Sequence, residues 1–93
     1  MKRSEIRKAL SPGAWVRVHW RDISDDNEEG WVHPDAIKNQ PAEIITSGYV
    51  VKRHRDHVKL AMSWGTDYSG YVEVGSTSAI PLGVITKVEV WPS

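Results

Sequence analysis

Ser47-Gly48-Tyr49-Val50-Val51-Lys52-Arg53-His54-Arg55-Asp56-His57-Val58-Lys59-Leu60-Ala61-Met62-Ser63-Trp64 is the stretch that decides the fold. Two runs rich in β-branched and aromatic residues flank a charged tip, the pattern of a β-hairpin. In the second run Val58, Leu60 and Met62 alternate with Lys59, Ala61 and Ser63. Period two places the first set toward a core and the second toward solvent.

Working outward, the same punctuation continues on both sides. Upstream, Ala14 to Arg21 reads as a strand, with Val16, Val18 and Trp20 on one face and Trp15, Arg17 and His19 on the other. Asp22 to Gly30 is an acidic loop, and Pro34 starts a helical turn within Trp31 to Ile37. Glu43 to Lys52 is the first arm of the hairpin. Downstream, Gly65-Thr66-Asp67 and Ser69-Gly70 predict a flexible loop. Tyr71 to Val74 and Thr77 to Ile80 are short strands around Gly75, Pro81-Leu82-Gly83 is a tight turn, and Val84 to Trp91 is the last strand. About five or six strands at this spacing predict an all-β fold, a small, partly open SH3-like or Sm-like barrel.

Residues 1–12 form a short helix or arm on this barrel of residues 14–91, within one domain of residues 1–93. Ser4 is the expected N-cap, Ile6 and Leu10 share a face, and Ser11-Pro12-Gly13 stops the helix. Lys2, Arg3, Arg7 and Lys8 make the segment basic against the one acid Glu5, which could steer it toward an anion, though a solvated polar face is the expected reading.

Composition narrows the function classes. With 93 residues there is room for one modest core, so a sizeable ligand must lie on the surface, at a barrel mouth or between subunits. The apolar share of 40% and charged share of 26% are those of a globular chain. Formal net charge is zero, so no global field draws nucleic acid or membrane. The chain holds no cysteine, which removes disulfides, thiol nucleophiles and cysteine metal sites and fits a cytoplasmic protein. The N-terminal stretch lacks the apolar run of a signal peptide, and no stretch approaches the length of a membrane span.

From Trp20 to Trp91 the sequence resembles a group of small proteins encoded by phages and prophages. The residues that carry the likeness are Trp20-Arg21-Asp22 with Trp31, then Ser47-Gly48-Tyr49-Val50-Val51, His57-Val58-Lys59-Leu60-Ala61-Met62-Ser63, and Ile80-Pro81-Leu82-Gly83-Val84-Ile85. The resemblance implies a phage or prophage origin, a host-cytoplasm location and a compact β fold. It brings no catalytic residues with it.

Two constellations are candidates for function. Lys52, Arg53, His54, Arg55, His57 and Lys59 stand together at the hairpin tip against the single acid Asp56. Clustered Arg and Lys recognise phosphate through charge-assisted, often bidentate hydrogen bonds, and the two histidines add donors as pH falls. The bland alternative is a charged tip that keeps a strand edge soluble. Five Trp and three Tyr with no Phe form the second. Such rings combine a stacking face with a polar edge, suited to bases and protein interfaces. Trp20 and Trp31 are expected in the core. Trp15, Trp64, Tyr68, Tyr71 and Trp91 are the better candidates for exposure, but core or rim packing is expected of most of them, since so small a fold needs large residues to fill it. Trp64 or Tyr71 would stack on a base.

The acidic loop places oxygen ligands at positions 22, 24, 26 and 28, but Asn27 stands where a calcium loop needs Gly and His33 where it needs Glu. His19, His33, His54 and His57 lack the spacing of a zinc site. No nucleophile motif or Gly-rich phosphate loop is present. The sequence therefore predicts a non-enzymatic binder without cofactor or metal. Its expected partner is a small anionic ligand of nucleotide type, bound in a homo-oligomer, with counter-defence by sequestration as the role. Inhibition of a host protein by an interaction module, and single-stranded nucleic-acid binding, are the alternatives.

Overall fold

The computed structural model describes residues 1–22, 31, 33–36 and 40–92. Along them run a helix α1 (Arg3–Ala9), strand β1 (Trp15–Asp22), a 3-10 turn at Pro34–Ala36, β2 (Ala42–Arg53), β3 (His57–Thr66), β4 (Val72–Pro81), a second 3-10 turn at Leu82–Val84 and β5 (Ile85–Trp91). The strands make one antiparallel sheet in the order β4-β3-β2-β1-β5, leaving β4 and β5 as edges. The fold is small and all-β with one short N-terminal helix. The sheet curls around its core without closing.

The curl follows from one long strand that changes partner. β2 pairs with β1 from Ala42 to Tyr49 and with β3 from Tyr49 to Arg53. Gly48 sits at the crossing, where a Cβ would lie 2.9 Å from the carbonyl oxygen of Ala61. Any side chain there would hold the two layers apart. Register shifts between Val50 and Lys52, and between His19 and Trp20, add the local bends that a curled sheet needs.

Alternation then fills one core. Val16 and Val18 of β1, Val50 of β2, Val58 and Leu60 of β3, Ile80 of β4 and Ile85 and Val88 of β5 are buried together. Ile6 and Leu10 of α1 join the same cluster, so the helix is docked on the core face of the sheet. Gly13, at φ 90°, turns the chain from helix to β1 and donates its amide to the Val50 carbonyl at 2.8 Å. Trp20 packs half-buried at the core margin and donates Nε1–H to Thr46 Oγ1 at 3.0 Å.

Several expectations change. The helix starts at Arg3 with Lys2 at its N-cap, and the Glu5 carboxylate accepts from the Lys2 amide at 3.2 Å, so Ser4 is not the cap. Trp31 is fully exposed, not core. Met62 is exposed while Ala61 is buried, because β2 covers the backbone of Ala61 at the Gly48 crossing and covers nothing beyond it. Gly65 and Thr66 continue β3, and the two short strands expected around Gly75 are one strand whose irregular residue is Ser76, at φ 53°. The acidic loop, apart from Asp22, and Ile37 lie outside the described residues.

Past Ala61, β3 pairs among the described residues only with β4, through Ser63–Gly75, Trp64–Val74, Gly65–Glu73 and Thr66–Val72. The result is a two-stranded arm extending about 17 Å beyond the sheet. It gives the molecule extents of 58 × 33 × 23 Å and a radius of gyration of 16.8 Å. A compact chain of this length has a radius of gyration of about 12 Å. The arm's end is a built turn: Asp67 Oδ1 accepts from the amides of Ser69 and Tyr71 at 2.8 and 3.1 Å, and Asp67 N–H donates to the Tyr71 carbonyl at 2.9 Å.

Candidate functional site

The β2–β3 hairpin tip is tied to its surroundings by main-chain acceptors. Arg53 Nη1 donates to the carbonyl of Arg7 on α1, and Arg7 Nη1 donates to the carbonyl of Arg55 at 2.8 Å. The Asp56 carbonyl accepts from the Leu82 amide at 2.9 Å. Helix α1, the tip and the 3-10 turn before β5 therefore meet at one place. They enclose a groove of about 490 Å³ lined by Arg3, Ile6, Arg7, Arg55, Asp56, Leu82 and Gly83. Arg3 and Arg7 stand one helical turn apart, so both guanidinium groups border the groove.

The electrostatics of the tip are set by a histidine pair. The rings of His54 and His57 stack with centroids 4.3 Å apart and planes 12° from parallel. His57 Nδ1 donates to Asp56 Oδ1 at 2.7 Å. That hydrogen bond, chiefly, holds the Asp56 carboxyl below its ordinary range, so the acid in the groove stays ionised and engaged. Burial lowers the pKa of His54, helped by the charges of His57, Lys59 and Lys52, with Asp56 opposing. His54 Nε2 is buried without a hydrogen-bond partner among the described residues. Lys52 and Lys59 face each other across the two strands, both exposed, and like charges so placed repel.

The predicted site residues therefore divide. Arg55 faces the groove. Lys52 and Lys59 stay on the exposed strands beside it. Arg53 has part of its guanidinium committed to the helix latch, a structural role that replaces the phosphate contact expected of it. His54 is turned inward and is no ready donor. Trp64 and Tyr71 belong to the arm. Trp64 stands about 17 Å along β3 from Lys59 and about 24 Å from His57, too far for one nucleotide to bridge. The structure thus does not bring Trp64 or Tyr71 together with the basic tip. Trp15, Trp64, Tyr68, Tyr71 and Trp91 are all exposed, where core or rim packing is expected of most of them.

Arg3 and Arg7 are the residues that the hairpin reading misses. Their basic spacing is visible in the sequence, but nothing there places them beside Arg55, which the chain reaches only after three described strand or turn elements. Neither Arg3 nor Arg55 forms an ion pair among the described residues.

A second groove, of about 480 Å³, lies at the root of the arm and is lined by Trp15, Val16, Arg17, Ser47, Gly48, Met62, Glu89, Val90 and Trp91. Trp15 packs tilted against Tyr49 at 5.9 Å between centroids. Beside it Glu89 Oε1 accepts from His19 Nε2 at 2.6 Å and lies 4.0 Å from Arg17. The His19 bond is the main cause of the lowered Glu89 pKa. Among the described residues no group of three His, Asp or Glu could hold a metal ion, and no helix is long and apolar enough to cross a membrane.

No family model, curated protein or solved structure matches this chain.

Proposed function

We propose that this protein is a non-enzymatic, phage- or prophage-encoded binding protein of the host cytoplasm that sequesters a small anionic ligand of nucleotide type. Counter-defence is the role such sequestration would serve. The carrying observation is the convergence of Arg3 and Arg55, beside the latch residue Arg7, on one groove whose one carboxylate among the described residues is already bonded to His57. The volume is that of a small-ligand site, with an apolar floor from Ile6 and Leu82 and cations at its rim. Planar guanidinium groups in this number suit phosphate oxygens, and a local cluster suffices in a chain of zero net charge. The strand order, the N-terminal helix and the 3-10 turn before the last strand support the partly open SH3-like or Sm-like barrel type.

Titration calorimetry with nucleoside monophosphates, cyclic dinucleotides and inorganic phosphate tests this reading. Binding by the natural chain, weakened about tenfold or more in Arg3→Ala and Arg55→Ala with the fold intact, supports it. No heat with any of these probes, or unchanged affinity in the folded double variant, overturns it.

A protein-interaction module that inhibits a host protein is the second reading, favoured by the exposed aromatic arm. A host protein retained by the chain purified from infected cells, in place of a heat-released small molecule, decides for it. Single-stranded nucleic-acid binding draws less support, since the cations and the arm's rings stand at opposite ends of β3.

A further inference from the structure

The arm presents a physical problem to a lone copy of the chain. A two-stranded ribbon is marginal in water, yet this one exposes Met62, Trp64, Tyr68, Tyr71, Val72 and Val74. The accessible surface totals 7398 Å². A compact monomer of the same mass exposes about 5,400 Å². The chain as a whole thus exposes more than a compact monomer by a margin that exceeds the roughly 800 Å² each partner gives to a standard interface.

We propose that the occupant of this surface is a second copy of the chain. The two arms lie antiparallel about a two-fold axis, and the Tyr68–Tyr71 turn of each seats in the groove of Trp15, Met62, Val90 and Trp91 at the root of the other. Met62 belongs both to the arm and to that groove, so the groove lies where the arm begins. Two arms side by side in opposite directions therefore bring each tip to the other's root, and one rotation satisfies both contacts, as an isologous dimer requires. Charge is compatible: the arm carries the acids Asp67 and Glu73 and no base, while the groove is bordered by Arg17 and by Glu89, which lies 4.0 Å from Arg17 and is bonded to His19. Zero net charge leaves no long-range repulsion between copies. The ligand groove at Arg3 and Arg55 takes no part, so this inference stands independently of the anion-binding reading.

Sedimentation velocity on the full chain, from low to high micromolar concentration, reads the assembly directly. The expected result is a species of twice the chain mass. Trp64→Glu and Tyr71→Glu should each weaken association about tenfold or more with unchanged circular dichroism, as loss of a central aromatic contact does. Lys59→Glu, at the far end of β3, should leave it intact. Because the natural chain has no cysteine, a crosslink gives the register. Tyr68→Cys protein mixed with Trp91→Cys protein should form the mixed disulfide faster than either forms its own. A monomer at every concentration overturns the proposal, as does a dimer indifferent to Trp64→Glu, a dimer without the mixed disulfide, or an arm occupied only by a different protein.

Discussion

The two halves of the β3–β4 hairpin are built from the same strands and behave as different materials. At the root, Val58, Leu60 and Ile80 are buried, at 0%, 0% and 2% exposure. A few residues further on, Met62 and Trp64 are 55% and 56% exposed and Val72 is 65% exposed. The pairing between β3 and β4 keeps one register through both halves. What changes is the neighbour, since β2 leaves β3 at Ala61 and no layer replaces it among the described residues. Hydrogen bonding continues where covering stops, so strand character and core membership are separate properties.

The largest test of this contrast compares Leu60→Ala with Met62→Ala. Leu60→Ala should cost about 3 kcal/mol in denaturant unfolding, equivalent to about 15 °C in Tm for a chain of this size. Met62→Ala should cost under about 0.5 kcal/mol when the protein is dilute. A Met62 cost that climbs with protein concentration would sharpen the comparison, because the arm would then be covered by a second copy. Equal costs in dilute solution would break it.

Next in size is the crossing point. Gly48→Ala places a methyl group against the Ala61 carbonyl and should destabilise by about 1–3 kcal/mol. Gly75→Ala, in the arm with nothing within 4 Å of a new Cβ, should change stability far less. A third test acts on the arm alone. Asp67→Ala removes the acceptor for two turn amides and should cost about 1 kcal/mol of local stability. Hydrogen exchange should accelerate in residues 62–75 and stay unchanged at Val58 and Leu60.

The smallest effect is pH dependence at the tip. His54 has its pKa lowered in the fold from an ordinary 6.5, so the fold prefers its neutral form. Its contribution is complete above the unfolded value and is lost as pH falls through the lower folded value. Asp56 and Glu89, also lowered, lose theirs only in the acid range below their ordinary values of 3.8 and 4.5. The natural chain should therefore lose slightly more Tm than His54→Gln between pH 7 and pH 5. Identical profiles would mean that the imidazole is not desolvated in solution.

Much of the root was legible in the sequence. Val16 with Val18, Val58 with Leu60 and Ile6 with Leu10 carry their burial in their spacing, because a covered face leaves a periodic apolar trace. Met62 carries the same trace without the covering, and Trp31 shows that a large ring beside aliphatic neighbours need not be inside. The basic tip was visible as a run of charges, but its roles were not. Arg53 turns to a helix carbonyl and His54 turns inward, and neither depends on anything local in the sequence. The groove joins α1 to the tip across 48 residues, a juxtaposition that only the closing of the core creates.

The latch between α1 and the tip also bears on how such a protein diversifies. Arg7 holds the carbonyl of residue 55, and Arg53 holds the carbonyl of residue 7. A carbonyl is the same whatever side chain its residue carries. Position 55 can therefore drift among Arg, Lys, Gln or an aromatic without releasing the helix, while positions 7 and 53 cannot. Substitution at position 55 can thus reshape the groove while the bond that ties α1 to the tip stays in place.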